Sequence, residues 1–177
     1  DGNFDVLTDT GSYEVNIIAP NVYWDLTTCQ MINFPVDVET FDTVYLDYPI
    51  QTEIDCPVME VDVATSRIIP CDDNVYRIDF CNQGTQIAVA ATVELILEKN
   101  LIYNSSSLPP VQIIDDSLYV FAIGNIEVGE CGFFEINVTA DCATTIANEA
   151  HCVEARIFPD ATCLAPNPNW DQSSIKV

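Results

Sequence analysis

Cysteine is the residue type in this sequence with the clearest chemistry, because a thiol can form a disulfide, bind a metal or act as a nucleophile. The number of cysteines is even, and no two stand in the C-x-x-C spacing that zinc sites favour. A scattered even set is typical of a disulfide framework in an oxidising compartment. The eight positions are Cys29, Cys56, Cys71, Cys81, Cys131, Cys142, Cys152 and Cys163.

Strand geometry excludes some of the possible pairs. Cys71 and Cys81 flank one predicted strand, and an extended strand of that length spans roughly 30 Å at about 3.3 Å per residue. A disulfide needs its two Cα atoms within about 7 Å, so these two cannot bond to each other. The same argument separates two further pairs, Cys131 from Cys142 and Cys152 from Cys163.

Two disulfides are predicted on this basis. If the last two strands form a hairpin, Cys142 and Cys152 lie at one pole and can close it, and a Cys29–Cys56 bridge would tie the first part of the chain to the second. We expect Cys81 to clamp a strand end to a loop, with a reactive thiol as the alternative. The remaining partners stay open, because connectivity cannot be deduced from sequence.

Catalytic chemistry has few candidates. A hydrolase of the triad type needs a nucleophile, a base and an orienting acid. The single histidine, His151, sits beside Cys152 in a predicted strand and is interpreted as a structural residue at a strand edge. Neighbouring carboxylates are expected by chance among 28 acidic residues. We therefore predict no catalytic residues and a protein that is not an enzyme.

Acidic loop residues suggest a calcium site as an alternative function. Carboxylate and amide oxygens at the loop ends of a β-sandwich are the ligands that Ca²⁺ prefers. Plain solvated loops are the competing interpretation, and no other cofactor is predicted. The candidate ligands are Asp72, Asp73, Asn74, Asp115 and Asp116.

Aromatic side chains suggest a second binding alternative. Trp24, which follows Tyr23, and Trp170 could form a surface on which sugar rings stack. Core or interdomain packing is the competing interpretation, since aromatic residues bury large apolar areas. A calcium- or carbohydrate-binding adhesive module is therefore the alternative function.

Charge excludes two classes of partner. Acidic residues outnumber basic ones by 28 to 5, for a net charge of −23. Such a surface repels the phosphates of nucleic acid and of anionic membranes. The most apolar stretch, QIAVAATVELILEK from Gln86, is too short and too charged to cross a bilayer. We expect neither nucleic-acid binding nor membrane insertion.

The elements that position these residues are predicted to be β-strands. Apolar and polar residues alternate with a period of two, as in Val75–Cys81, where Tyr76, Ile78 and Phe80 share one face. No segment combines helix caps with a 3.6-residue period. The other predicted strands lie at Tyr13–Ile18, Met31–Val36, Val44–Tyr48, Val58–Val63, Ala88–Lys99, Leu118–Gly124, Phe134–Val138 and Val153–Ile157.

This pattern predicts an all-β fold in three parts. Residues 1–55 have too few strands for a complete domain, and residues 56–165 have the strand number of an immunoglobulin-like antiparallel sandwich. Residues 166–177 are a proline-rich linker followed by the start of a further strand.

The second part resembles repeat modules of very large surface proteins of Bacteroidetes, which are conserved-repeat, immunoglobulin-like domains in tandem arrays. The matching segments are CPVMEVDV from Cys56, IPCDDNVYRIDFCNQGT from Ile69, IGNIEVGECGFF from Ile123 and HCVEARIFPD from His151.

The first part resembles the latter half of a carboxypeptidase-regulatory-like or collagen-adhesin B-type (prealbumin-like) domain. TDTGSYEV from Thr8 is similar to a strand motif of that family, and Tyr23-Trp24 and FDTVYL from Phe41 match later strands more loosely. The resemblance implies that the chain starts inside one domain and stops at the first strand of another.

The resemblance also implies export through the type IX secretion system, extracellular or surface location, and association with neighbouring copies or adjacent repeats of the same protein, with surface glycans as further partners. Thr43 and Ser117 lie in sequences similar to the O-glycosylation sites of such bacteria. We expect a non-enzymatic structural module of a fibre, adhesin or stalk, polymerising through strand donation.

Overall fold

The fold is described from a computed structural model. It describes residues 5–26, 33–144, 151–161, 163–164 and 175–176. These ranges hold thirteen β-strands and no helix, so the all-β prediction is confirmed. In the same ranges there is accordingly no helix of the length and apolar character that a membrane crossing needs.

The chain divides into two compact units, residues 1–53 and 54–177. The predicted boundary after Asp55 stands two residues from this division. The assignment of the first unit as prealbumin-like and of the second as immunoglobulin-like stays a prediction.

The first unit contains two small antiparallel pairs. Strand β1, Gly11–Asn16, pairs with β3, Asn33–Val38, and β2, Trp24–Asp25, pairs with β4, Gln51–Thr52. Both pairs are short, and β1 is mostly exposed.

The predicted strand at Val44–Tyr48 is wrong, because these residues form no strand. Tyr45 is exposed, and Val44 and Leu46 are also exposed despite their apolar side chains. A run of β-forming residues becomes a strand only where a partner strand accepts its hydrogen bonds and a core accepts one face.

The second unit is an antiparallel sandwich of two sheets. One sheet has the order β5-β6-β11-β8 and the other the order β13-β12-β7-β10-β9. The sandwich prediction is confirmed. The strands are β5 Met59–Thr65, β6 Asp73–Asn82, β7 Ala88–Leu97, β8 Leu101–Ser106, β9 Gln112–Ile114, β10 Leu118–Ile126, β11 Cys131–Ala140, β12 Val153–Phe158 and β13 Ile175–Lys176.

The core lies between these two sheets and follows from the alternation in sequence. In β6, Tyr76 and Ile78 are buried while Arg77 between them is exposed. Phe121 of one sheet meets Phe134 of the other, with ring centroids 4.6 Å apart. Full burial of such a side chain stabilises the fold by about 1.5–3 kcal/mol.

Candidate functional site

Three disulfides cross-link the second unit and form its most distinctive chemical feature. They join Cys56 to Cys163, Cys71 to Cys142, and Cys81 to Cys131. The prediction of a disulfide framework is therefore confirmed for six of the cysteines. Cys29 lies outside the described residues, and Cys152 is exposed and takes no part in these three bridges.

Both predicted pairs are wrong. Cys142 bonds to Cys71 rather than to Cys152, because β11 and β12 lie in different sheets and do not form the hairpin that the prediction assumed. Cys56 bonds to Cys163 rather than to Cys29, so this bridge closes the second unit on itself.

The β6–β11 ladder carries a disulfide at each of its ends. Cys81 and Cys131 are register partners in the ladder, and their Cα atoms are 4.0 Å apart. Cys81 therefore joins two strands, and the expected clamp from a strand end to a loop is wrong.

At the other end of this ladder, Cys71 precedes β6 and Cys142 follows β11, with Cα atoms 4.8 Å apart. The Cys71 N–H donates to the Ala140 carbonyl at 3.0 Å, which holds the chain beside β11 where the bridge forms. Residues 73–80 of β6 and residues 132–140 of β11 thus lie between two covalent links.

The third bridge joins the chain before β5 to the chain after β12. Cys56 and Cys163 are 107 residues apart in sequence, with Cα atoms 6.0 Å apart. Cys56 is 5% exposed, and its carbonyl accepts a hydrogen bond from the Thr85 N–H at 3.0 Å. The Thr85 hydroxyl donates to the Ile54 carbonyl at 2.7 Å, so the chain is also held just before the cysteine.

Asn82, at the end of β6, anchors the segment that follows Cys56. Its side-chain oxygen accepts hydrogen bonds from Val58 N at 3.3 Å and Gly84 N at 3.0 Å. Its amide nitrogen donates to the carbonyls of Gln86 at 2.8 Å and Ile126 at 3.1 Å. The residue is fully buried. The sequence marked Asn82 only as a turn residue, and no signal there indicated its four backbone partners.

Gly84 is required beside this anchor for steric reasons. A Cβ atom there would overlap Val58 N and the Cys56 carbonyl oxygen, and would lie 2.7 Å from the Pro57 carbonyl carbon. All three are backbone atoms, so they cannot move aside as a flexible side chain would. The turn at Gly84 is therefore packed directly onto the chain that leads out of Cys56.

The first group of candidate calcium ligands is occupied by protein contacts. Asn74 is buried, and its side-chain oxygen accepts a hydrogen bond from Ile69 N at 2.6 Å while its nitrogen donates to the carbonyls of Ile69 and Asp72. One oxygen of Asp73 accepts hydrogen bonds from Asn104 and Thr139. These contacts explain both side chains as structural residues at the start of β6.

The second group forms a turn. Asp115 and Asp116 have φ values of 50° and 52°, and Ser117 N–H donates to the Ile114 carbonyl at 3.2 Å. Positive φ at both central residues is typical of the tight turns that fit β-hairpins, and aspartate tolerates this conformation. Among the described residues, no three His, Cys, Asp or Glu side chains form a group that could hold a metal. The calcium hypothesis stays a prediction.

His151 lies in a small polar cluster at the start of β12. Its side chain is 3% exposed, with Nδ1 3.4 Å from Glu98 Oε2, so its expected place at a strand edge is replaced by a buried one. Glu98 Oε2 also accepts a hydrogen bond from Cys152 N at 3.0 Å. Within the described ranges, neither ring nitrogen of His151 has a hydrogen-bond partner.

The Tyr76 hydroxyl belongs to the same cluster. It is buried and has no hydrogen-bond partner among the described residues. Burial, followed by the negative charges of Glu98 and Cys152, raises its pKa to about 12. The phenol is therefore neutral at physiological pH and supplies no nucleophile there.

The remaining predicted sites are placed only in part. Trp24 is half-buried in β2, and Trp170 lies outside the described residues, so a shared sugar-stacking surface stays a prediction. Thr43 is exposed, while Ser117 is half-buried and held in the turn before β10. O-glycosylation at either position also stays a prediction.

Comparison with known proteins gives little further information. No family model and no curated protein matches the sequence. Two solved structures of a GH20 exo β-N-acetylglucosaminidase from Vibrio harveyi, one with N-acetylglucosamine and one an inactive mutant, align with 67% of this chain at 9% identity and a TM-score of 0.41. The chain spans 17% of the length of that enzyme.

Proposed function

We propose that this chain is a non-enzymatic structural module of an extracellular fibre, adhesin or cell-surface stalk. The observation that supports this best is the covalent closure of the second unit by three disulfides, one of which joins its beginning to its end. A β-sandwich stapled in this way resists unfolding and proteolysis outside the cell, because the unfolded chain is constrained.

The proposed location is the cell surface or the extracellular space. Disulfides persist in oxidising environments and are rare in reducing ones. A net charge of −23 keeps the surface of such a module hydrated and makes modules of different molecules repel one another. The resemblance to tandem surface modules of Bacteroidetes supports the same location and export through the type IX system.

The proposed partners are neighbouring copies or adjacent repeats of the same protein. Strand donation would have to proceed by exchange of a strand that is already paired. In this structure β13 pairs with β12 of its own chain, with Ala155 opposite Ile175 and Glu154 opposite Lys176. Strand β13 thus occupies the edge of β12 to which a donated strand would bind. Polymerisation would exchange this pairing, so that the tail of one copy occupies the β12 edge of the next.

Analytical ultracentrifugation of the whole chain and of a variant lacking residues 166–177 tests this exchange. Association of the whole chain at high concentration, absent from the truncated variant, supports strand donation. Monomers in both samples contradict it and leave an array of covalently continuous repeats.

Labelling of intact cells tests the proposed function itself. Antibodies raised against the oxidised chain should label extended structures outside non-permeabilised cells that express the protein. The same antibodies should give no signal on cells in which the gene is deleted. Label that appears only after permeabilisation would contradict the proposal.

A further inference from the structure

The three disulfides are nested within one another. The bridge from Cys81 to Cys131 lies inside the loop closed by Cys71 and Cys142, and both lie inside the loop closed by Cys56 and Cys163. None of these three bridges crosses another. The outermost bridge is therefore the shortest covalent path between the chain that leads into β5 and the chain that follows β12.

We propose that the Cys56–Cys163 disulfide carries tensile load past the sandwich, so that the oxidised module is an inextensible link. Tension that enters at Cys56 passes through the two sulfur atoms to Cys163 and leaves along the following chain. The biological use of this property rests on the proposed function, since a fibre or stalk is loaded along its length.

The loaded junction is short and well anchored. The two Cα atoms are 6.0 Å apart, whereas the chain between them has 107 residue steps, or about 370 Å at about 3.5 Å per residue. The enclosed strands bear no load, because a stretched chain transmits force through its shortest covalent connection. Hydrogen bonds from the turn after β6 hold the chain on both sides of Cys56, through Ile54 and Val58.

Reduction would turn this link into an extensible one in defined steps. Each bridge takes two electrons and two protons from an external dithiol, which itself becomes a disulfide, and the bridge becomes two thiols. Sequence separations of 107 and 71 mean that loss of the outermost bridge alone frees about 36 residues, because the Cys71–Cys142 bridge still shortens the path. Loss of all three frees the full 107.

Single-molecule stretching of the whole chain, with handles at both ends, tests the proposal. All molecules carry Cys29→Ser and Cys152→Ser, so that neither cysteine outside the three bridges can form another link. The oxidised chain should lengthen only by the residues outside 56–163. Dithiothreitol should add about 370 Å of contour length, at about 3.5 Å per residue.

Paired variants identify the bridge that carries the load. Cys56→Ser with Cys163→Ser should add about 125 Å, from about 36 residues at about 3.5 Å each. The matched control, Cys81→Ser with Cys131→Ser, should add nothing, because its bridge lies inside the shielded loop. Equal gains of contour length in the two variants would overturn the proposal. A gain of about 370 Å by the oxidised parent chain, which is the contour length of the residues between Cys56 and Cys163 at about 3.5 Å per residue, would overturn it as well.

The measurement separates this inference from the proposed function. If the outer variant does not fold, the parent chain with and without dithiothreitol still gives the length held by the bridges. A cell-labelling result against surface location would refute the proposed function and leave the stretching result unchanged. A long oxidised extension would refute the inference and leave the surface location unchanged.

Discussion

Cys81 and Cys131 face each other across the β6–β11 ladder as direct register partners, and a disulfide joins them. Together with the bridge from Cys71 to Cys142, this pair encloses a ladder that also contributes Ile78, Phe134 and Ile136 to the core. This ladder is thus both part of the hydrophobic core and cross-linked near each of its ends. Four predictions follow from this arrangement and its neighbours.

Replacement of both Cys81 and Cys131 by serine should lower the free energy of unfolding by about 3 kcal/mol, because the Cys71–Cys142 bridge remains and the ring that Cys81–Cys131 closes in the unfolded chain runs through it over about 21 residues, 10 from Cys71 to Cys81 and 11 from Cys131 to Cys142. Chemical denaturation of the oxidised protein measures the change. Cys152→Ser is the matched control and should change the free energy by less than about 0.5 kcal/mol, because Cys152 is exposed and outside the three bridges. Equal effects of the two substitutions would contradict the assigned connectivity.

Asn82→Ala should destabilise the second unit by about 3–5 kcal/mol, because four backbone groups, three of them in buried hydrogen bonds, lose their partner at once. Urea unfolding monitored by far-ultraviolet circular dichroism measures the loss of unfolding free energy. Asn104→Ala provides the comparison, since Asn104 is exposed and hydrogen-bonds only to side chains. That variant should lose about 1 kcal/mol or less, and a similar loss in both would argue against a special role for Asn82.

Gly84→Ala should destabilise the second unit far more than the addition of one methyl group usually does. The added methyl group meets backbone atoms of three residues beside Cys56, so the turn must move away, at a cost of more than about 2 kcal/mol. We also expect slower formation of the Cys56–Cys163 bridge on refolding, measured by peptide mapping of trapped thiols. Gly11→Ala should refold like the parent, because its nearest neighbours are atoms of the flexible Tyr13 side chain at 3.7 Å.

Tyr76 should make stability fall at high pH. Its pKa is about 12 in the folded protein against 10 for an ordinary tyrosine, so the folded state holds the phenolic proton more tightly. This contribution is fully present below pH 10 and is lost as the pH rises to about 12. Thermal melting of the parent and of Tyr76→Phe over this range should show a smaller alkaline loss in the variant. An unchanged slope would contradict the raised pKa.

The period-two pattern predicted most of the strands that form the core. Val58–Val63 and Val75–Cys81 overlap β5 and β6 closely, because alternation identifies any strand that has one buried face. Strand β8 was missed, since Ile102 and Asn104 at its edge of the sheet are both exposed and the alternation there is weak. Val44–Tyr48 has the composition of a strand, but in the described structure it does not pair with another strand in a ladder.

The disulfide pairs could not be predicted, because they depend on the order of strands in space. Geometry along the chain correctly excluded Cys71–Cys81, which needs only the length of one strand. Choosing Cys131 as the partner of Cys81 requires that β11 lies beside β6, 50 residues away in sequence. Likewise, the four partners of Asn82 come from three separate segments that meet only in the folded unit.

Because none of the three bridges between described cysteines crosses another, their formation requires no threading of one loop through a closed ring. If the bridges form in the order Cys81–Cys131, Cys71–Cys142 and Cys56–Cys163, each new ring is small. The ring then passes through the bridge formed before it instead of along the whole intervening chain. The entropic cost of ring closure rises with ring size. The nested connectivity therefore favours rapid formation of these three cross-links in the correct combination.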